Sequence, residues 1–188
     1  MLSSILSLSN YDIFEMPDVL ARASPRDWKE ADAREYYGWL LKVKPRRVAQ
    51  IMTAASVDRS YPRETVLRAI SELLGRSLAN LTTPSSGDQI ATGLGLIACF
   101  DAAVVVGDYL VEDVPLAQWC IMRSRIKTLV SKNMTVVRRR LSMGFEPFLE
   151  GRWILNLLGR AGVHQGTVLQ QKYEAWATDL LLDDLGDR

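Results

Sequence analysis

Histidine and cysteine, two side chains that often take part in catalysis, are scarce in this chain. Its single histidine, His164, lies between two glycines in "GRAGVHQGTV", a setting typical of a loop or a helix cap rather than of a general base. The two cysteines, Cys99 and Cys120, lack CxxC spacing, and no GxSxG, HExxH or P-loop pattern is present. Residues 93–98, "GLGLIA", match the loosest nucleotide fingerprint, GxGxxA, but a loop and not a strand precedes them. Zinc needs several converging ligands, so we expect neither a bound metal nor a cofactor.

Two aspartates stand out because they interrupt the most apolar part of the chain. Asp101 lies inside "IATGLGLIACFDAAVVVG" (residues 90–107), and Asp108 follows seven residues later, a spacing that places both on one face of a helix. A buried carboxylate has a raised pKa unless it is paired. We therefore predict a buried ion pair involving Asp101, Asp108 and Arg139; catalysis by the two carboxylates is an alternative.

A long stretch carries positive charge without any acid. Residues 114–145 contain seven Lys and Arg, whereas residues 77–122 contain five acids and neither Lys nor Arg. Such a basic stretch binds phosphates or an acidic partner, or it pairs with the acidic segment in exposed ion pairs. The residues predicted to bind a partner or an anion are Arg123, Arg125, Lys127, Lys132, Arg138 and Arg140.

Side chains alternate between two faces if "TVVRRRL" (residues 135–141) is extended. We predict that Arg138 and Arg140 face solvent while Val137 and Leu141 cover the core. Arg139, on the opposite face from Arg138, is expected to reach an acid of residues 101–113 or to lay its stem over apolar neighbours.

Prolines and capping residues divide the chain into helices that must position these groups. Ser24, Pro25 and Asp27 form a cap, a first-turn proline and an acid, a pattern typical of a helix start, and we expect that helix to end near residue 43. Pro45 is expected to begin a separate short helix, and Pro62 an amphipathic one. Further helices are expected up to residue 111, from residue 147 and from about residue 167.

The segment "LAQWCIMRSR" (116–125) fits either a short strand or a helix, whereas "TVVRRRL" is β-branched and extended in character. If both are strands, they can pair as a small ribbon around the loop 124–133. The length of 188 residues suits one core. We therefore predict a mainly α fold: a single helical domain over residues 1–188 with one small two-stranded β element. Residues 1–23 are expected to form an N-terminal extension, packed on the domain or partly ordered.

The composition restricts the class of protein. Hydrophobic residues make up 48%, charged residues 24%, and the net charge is +1, which is typical of a soluble globular protein and argues against a whole-molecule polyanion binder. The charge in the middle of residues 90–107 favours a core helix over a membrane span. The absence of a basic, apolar signal at the N-terminus and of a disulfide framework predicts a cytoplasmic protein.

Two stretches, "REYYGWLLKVKPRRVAQI" (34–51) and "VVVGDYLVEDVPLAQWCI" (104–121), resemble uncharacterised bacterial helical proteins. Asn133–Val136 and Gly144-Phe145 are similar to further features of such proteins, while Asp108 stands where a glutamate is commoner. Some of these proteins look like immunity or accessory proteins of toxin systems. The resemblance covers about half the chain and implies no catalytic residues.

These patterns favour a non-enzymatic protein that binds another protein, like an immunity or accessory protein. Five tryptophans agree with this class, because tryptophan is enriched at interfaces. The alternative is nucleic-acid binding, through the basic stretch 123–140 or through residues 45–70, where five arginines accompany a helix-turn-helix-like pattern. The oligomeric state is left open.

Overall fold

A computed structural model describes residues 11–12, 17–22, 27–85, 88–91, 93–123, 132–139, 144–158 and 165–182. The helices in these residues are α1 (Asp18–Arg22), α2 (Glu30–Ala54), α3 (Arg63–Leu81), α4 (Gly93–Asp113), α5 (Pro147–Leu158) and α6 (Val168–Leu182). The strands are β1 (Thr82–Ser85), β2 (Asp88–Ala91), β3 (Gln118–Ile121) and β4 (Thr135–Arg138), and a 3-10 turn, Gln165–Thr167, precedes α6. The predicted fold class, mainly α with a small β element, is confirmed.

Helix α2 begins later than predicted and continues through a proline. Its first residue is Glu30, where the Lys29 backbone N–H donates to the Asp32 carboxylate at 2.8 Å and so satisfies a donor at the helix start. The predicted break at Pro45 is wrong, because Pro45 lies inside α2. An internal proline costs about 3 kcal/mol, which is offset by burial on both sides of it, from Tyr36 to Met52.

Residues 45–70 do not form the two short helices of a helix-turn-helix. The segment begins in the middle of α2, and eight residues, 55–62, separate α2 from α3. Two of its arginines also have partners within the protein: Arg47 is buried, and Arg63 pairs with Asp113 at 2.5 Å. The helix-turn-helix-like arrangement is therefore corrected to one long helix, a connection and a second long helix.

Helix α4 forms the centre of the core. It contacts α2, α3, α5 and α6, and every residue from Ala98 to Leu110 is buried. Gly151 lets α5 approach closely, because a Cβ there would lie 2.9 Å from the backbone of Phe100. From Gly93 onwards the apolar stretch is thus a core helix, as predicted, while residues 90–91 belong to β2. Among the helices in the described ranges, none meets the length and hydropathy that a membrane span requires.

Strands β3 and β4 form the predicted antiparallel ribbon, in which Gln118 pairs with Arg138 and Ile121 with Thr135. Val137 also exchanges two backbone hydrogen bonds of 2.9 Å with Phe145, and both side chains are buried. The ribbon is therefore anchored to the core on the side of β4. A second ribbon, β1 with β2, follows α3 and was not predicted.

Candidate functional site

A buried ion pair joins α2 to α4. The side chains of Arg47 and Asp101 are 2% and 0% exposed. Arg47 Nε donates to the two carboxylate oxygens at 3.0 and 3.1 Å, and Arg47 Nη2 donates to Asp101 Oδ2 at 2.5 Å. The Tyr11 hydroxyl donates to the same oxygen at 2.5 Å. Hydrogen bonds to a carboxylate are stronger than those between neutral groups, so Asp101 connects Tyr11 and α2 to α4.

Burial dominates the electrostatics of Asp101. It raises the pKa of this carboxyl from 3.8 to about 6, against the lowering effect of the hydrogen bonds and charge of Arg47 and the hydrogen bond of Tyr11. Asp101 thus lies in a buried ion pair, as predicted. Its partner is Arg47, whereas Arg139 was expected from the sequence. Arg139 is buried elsewhere and its Nη1 donates to the Leu180 carbonyl at 3.4 Å, in the last turn of α6, where carbonyls lack helical partners and attract cations.

Asp108 lies about two helical turns further along α4, on the same face as Asp101, and its carboxylate has three donors. Lys44 Nζ lies 2.5 Å from Oδ1, Trp119 Nε1 donates to Oδ1 at 3.0 Å, and Arg59 Nη2 donates to Oδ2 at 2.7 Å. Gly107 makes room for the indole, because a Cβ there would lie 2.6 Å from the Trp119 ring. Lys44 also lies 5.4 Å from the centroid of that ring.

The last turn of α4 continues the same pattern. Glu112 pairs with Arg59, and Asp113 pairs with Arg63 at 2.5 Å and accepts a hydrogen bond from the Tyr173 hydroxyl at 2.9 Å. Within the described residues, the cations paired with the acids of α4 thus all come from residues 44–63. For the acids of α4 and the described cations, this corrects the alternative in which the basic stretch pairs with the acidic segment.

This arrangement holds helices together and leaves the two aspartates little capacity for chemistry. Each oxygen of Asp101 and Asp108 already accepts a hydrogen bond from a cation. A general base needs an oxygen that can take a proton from a substrate. The geometry therefore favours structural ion pairs over the catalytic alternative.

Two open grooves flank the outer face of α2. One, of about 470 Å³, is bordered by Lys44, Arg59 and Asp108 and by apolar side chains that include Met52. The other, of about 410 Å³, is bordered by Tyr11, Asp12, Arg46 and Gln50 among others. Residues 49 and 53 line both. Asp108 therefore borders a groove, whereas Asp101 is covered by Tyr11.

The basic stretch is described in part. Arg123 is exposed, with Nη2 3.2 Å from Glu30. Lys132 and Arg138 are half-buried, and Arg138 Nη1 lies 3.7 Å from the Met122 sulfur. Neither Lys132 nor Arg138 has an acidic side chain within 4 Å in the described part of the chain. The predicted site residues outside the described residues are Arg125, Lys127 and Arg140, and Leu141 lies there too.

The tryptophans are distributed between core and surface. Trp28 is buried, and three others pack half-buried against the apolar clusters. Trp153 is 41% exposed, and Lys172 Nζ lies 3.9 Å from the centroid of its ring. Lys172 also pairs with Glu150 at 2.5 Å. Trp153 is therefore the tryptophan best placed for an outside contact.

The residues that pair with the aspartates were not predicted: Tyr11, Lys44, Arg47 and Arg59. A signal existed for two of them: Lys44 and Arg47 are three residues apart on a helix, so they share one face, as Asp101 and Asp108 do. What the sequence lacked was the antiparallel packing of α2 on α4 that brings these two faces together.

Among the described residues, no three His, Cys, Asp or Glu side chains are grouped as a metal site would need, and His164 lies outside these residues. No protein-family model, no curated protein and no solved structure matches the chain. The resemblance to immunity and accessory proteins therefore stays a prediction. Function is inferred from the arrangement of charges and contacts.

Proposed function

We propose that the protein is a non-enzymatic binding protein of the immunity or accessory type, which recognises an acidic surface of another protein through the basic stretch 123–140. The distribution of ion pairs carries this proposal. Within the part of the chain that the structure describes, the acids of α4 are paired with cations of residues 44–63, and none of them pairs with a cation of the basic stretch. Lys132 and Arg138 are left without an acidic neighbour within the described residues.

The geometry of the ribbon supports the proposal. The Met122 N–H donates to the Met134 carbonyl and the Asn133 N–H to the Met122 carbonyl, both at 2.9 Å. These bonds hold the backbones of residues 123 and 132 side by side, at the two ends of a segment that contains two further cations. Positive charge concentrated at one place accelerates association with an acidic partner and selects against basic ones.

The test is co-purification with the products of neighbouring genes. We expect the double reversal Arg123→Glu/Lys132→Glu to weaken retention of a partner at least tenfold, because charge complementarity becomes repulsion. The matched control is Lys42→Glu/Arg152→Glu, which reverses two exposed cations outside the basic stretch. Thermal unfolding of both variants should stay close to wild type, since the Arg123–Glu30 pair is exposed and contributes little stability, and Lys132 has no acidic partner among the described residues. Equal retention by wild type and the first variant would contradict the proposal.

Nucleic acid is the alternative partner for the same cations. Duplex DNA is therefore titrated into the protein at low and at physiological salt, where phosphate contacts produce a steep salt dependence. DNA binding that is lost in Arg123→Glu/Lys132→Glu but kept in the control would replace the protein partner by a polynucleotide.

A further inference from the structure

Tyr11 and Asp12 contact α2 and α4 in the way a bound dipeptide would. The Tyr11 hydroxyl donates to Asp101 at 2.5 Å, and the Arg47 guanidinium lies 5.2 Å from the centroid of the Tyr11 ring. Arg47 Nη1 donates to the Asp12 carbonyl at 2.7 Å, and Arg46 Nη2 donates to the Asp12 carboxylate at 2.8 Å. The hydroxyl, the ring, the backbone and the acidic side chain are therefore each recognised. We call Arg46, Arg47 and Asp101 the tyrosine seat.

The tyrosine seat selects its occupant by polar groups. Phenylalanine in place of Tyr11 would leave the buried Asp101 without one of its donors, which is costly where no water can replace it. A basic residue in place of Asp12 would be repelled by Arg46. The seat thus fits a tyrosine followed by an acidic residue.

The same polarity makes the occupant exchangeable. Covering two charges with an aromatic ring removes them from water, and that desolvation cost opposes the hydrophobic gain of burying the ring. When Tyr11 leaves, Asp101 and Arg47 regain water, so release costs less than release of an equally large apolar side chain from an apolar pocket. The groove of about 410 Å³ beside Tyr11 and Asp12 offers space for the rest of an entering chain.

We infer that the tyrosine seat is a peptide-recognition site for a tyrosine followed by an acidic residue, filled here by the chain's own Tyr11 and Asp12 and open to the same motif on a partner protein. The chain's own segment acts as a built-in competitor, because the apparent affinity for a partner falls with the fraction of molecules whose seat is free. This site is separate from the basic stretch, so either proposal can fail without the other.

The probe is a fluorescent peptide with the sequence LSNYDIFEM, which is residues 8–16, titrated by anisotropy into the full-length chain. Tyr11→Gly/Asp12→Gly empties the seat and is expected to bind the peptide saturably. Wild type is also expected to bind it, at least tenfold more weakly, because its own segment competes. A peptide with phenylalanine for tyrosine should bind at least about tenfold more weakly, since the lost hydrogen bond is to a charged group.

A milder variant keeps the test decisive if Tyr11→Gly/Asp12→Gly does not fold. Asp12→Asn weakens only the contact of the chain's own segment, at an exposed position, and should tighten peptide binding severalfold relative to wild type. Asp18→Asn, at another exposed position, is its control and should leave binding unchanged.

Three results would overturn the inference. The first is no saturable binding to a folded Asp12→Asn or Tyr11→Gly/Asp12→Gly chain, with folding checked by circular dichroism. The second is equal binding of the phenylalanine peptide. The third is no binding to wild type at any peptide concentration, which would make Tyr11 a fixed part of the core. Concentration-dependent dimers of wild type that Tyr11→Gly abolishes would show that a second copy, and not a different protein, is the occupant.

Discussion

At the scale of single residues, the charge of Arg47 is important for the stability of the fold. We expect Arg47→Met to lower the free energy of unfolding at neutral pH by about 3–5 kcal/mol, because Asp101 would stay buried without its cation. Urea denaturation measures this change. Arg46→Met is the matched control on the adjacent residue: its side chain is 75% exposed, so the change should stay within about 1 kcal/mol. Similar losses in both variants would show that the buried pair contributes no more than the exposed one.

Asp101 also makes stability depend on pH in a direction unusual for an aspartate. Burial raises its pKa to about 6, so between about pH 4 and pH 6 the folded state binds more protons than the unfolded state. The contribution of Asp101 to the free energy of unfolding therefore falls as pH rises through this window and is constant above it. It is measured as the difference in the free energy of unfolding between wild type and Asp101→Asn. As pH rises through this window, wild type should lose stability relative to Asp101→Asn. A shift in favour of wild type would mean that Arg47 and Tyr11 outweigh burial.

At the scale of elements, the contact between α4 and β3 requires a glycine, without a side chain, at position 107. Gly107→Ala would place a Cβ 2.6 Å from the Trp119 ring, so the indole must move and its hydrogen bond to Asp108 is expected to break. We expect a loss of about 1–3 kcal/mol, as for other overpacked sites, and a change in tryptophan fluorescence.

Gly38 provides the control for Gly107, because it also lies inside a helix but has nothing within 4 Å of the position of its Cβ. Gly38→Ala should therefore stabilise the protein by about 0.5–1 kcal/mol through helix propensity alone. Equal effects of the two substitutions would contradict the close packing of Trp119 on α4.

At the scale of the whole molecule, the charges fall into two groups that respond differently to salt. The pairs between α2 and α4 are buried or half-buried, whereas Arg123 is exposed. The Debye length is about 3 Å at 1 M salt, which screens exposed charges far more than buried ones. We expect a salt series up to 1 M to leave the thermal midpoint nearly unchanged while partner retention falls at least tenfold. Parallel loss of stability and retention would show that the basic stretch also holds the fold.

The sequence by itself determined the class of the fold and the positions of most elements. Helical periodicity, the apolar run around Asp101 and the β-branched residues after residue 134 are local signals, and each produced the expected element. The prediction of a helix break at Pro45 was wrong because it used local signals alone. The local cost of proline is visible in the sequence, whereas the burial of both halves of α2 that offsets it is not.

Only the tertiary structure decided which charges meet. Arg47 and Asp101 are 54 residues apart in the chain. Judged from the sequence, the cations of the basic stretch could pair with Asp101 equally well. The antiparallel packing of α2 on α4 selects Lys44 and Arg47, because ion pairing depends on distance in space and helix packing is a sum of many contacts distributed over the chain. For the same reason, neither the seat of Tyr11 nor the lack of an acidic partner for Arg138 among the described residues was visible before the helices were assembled.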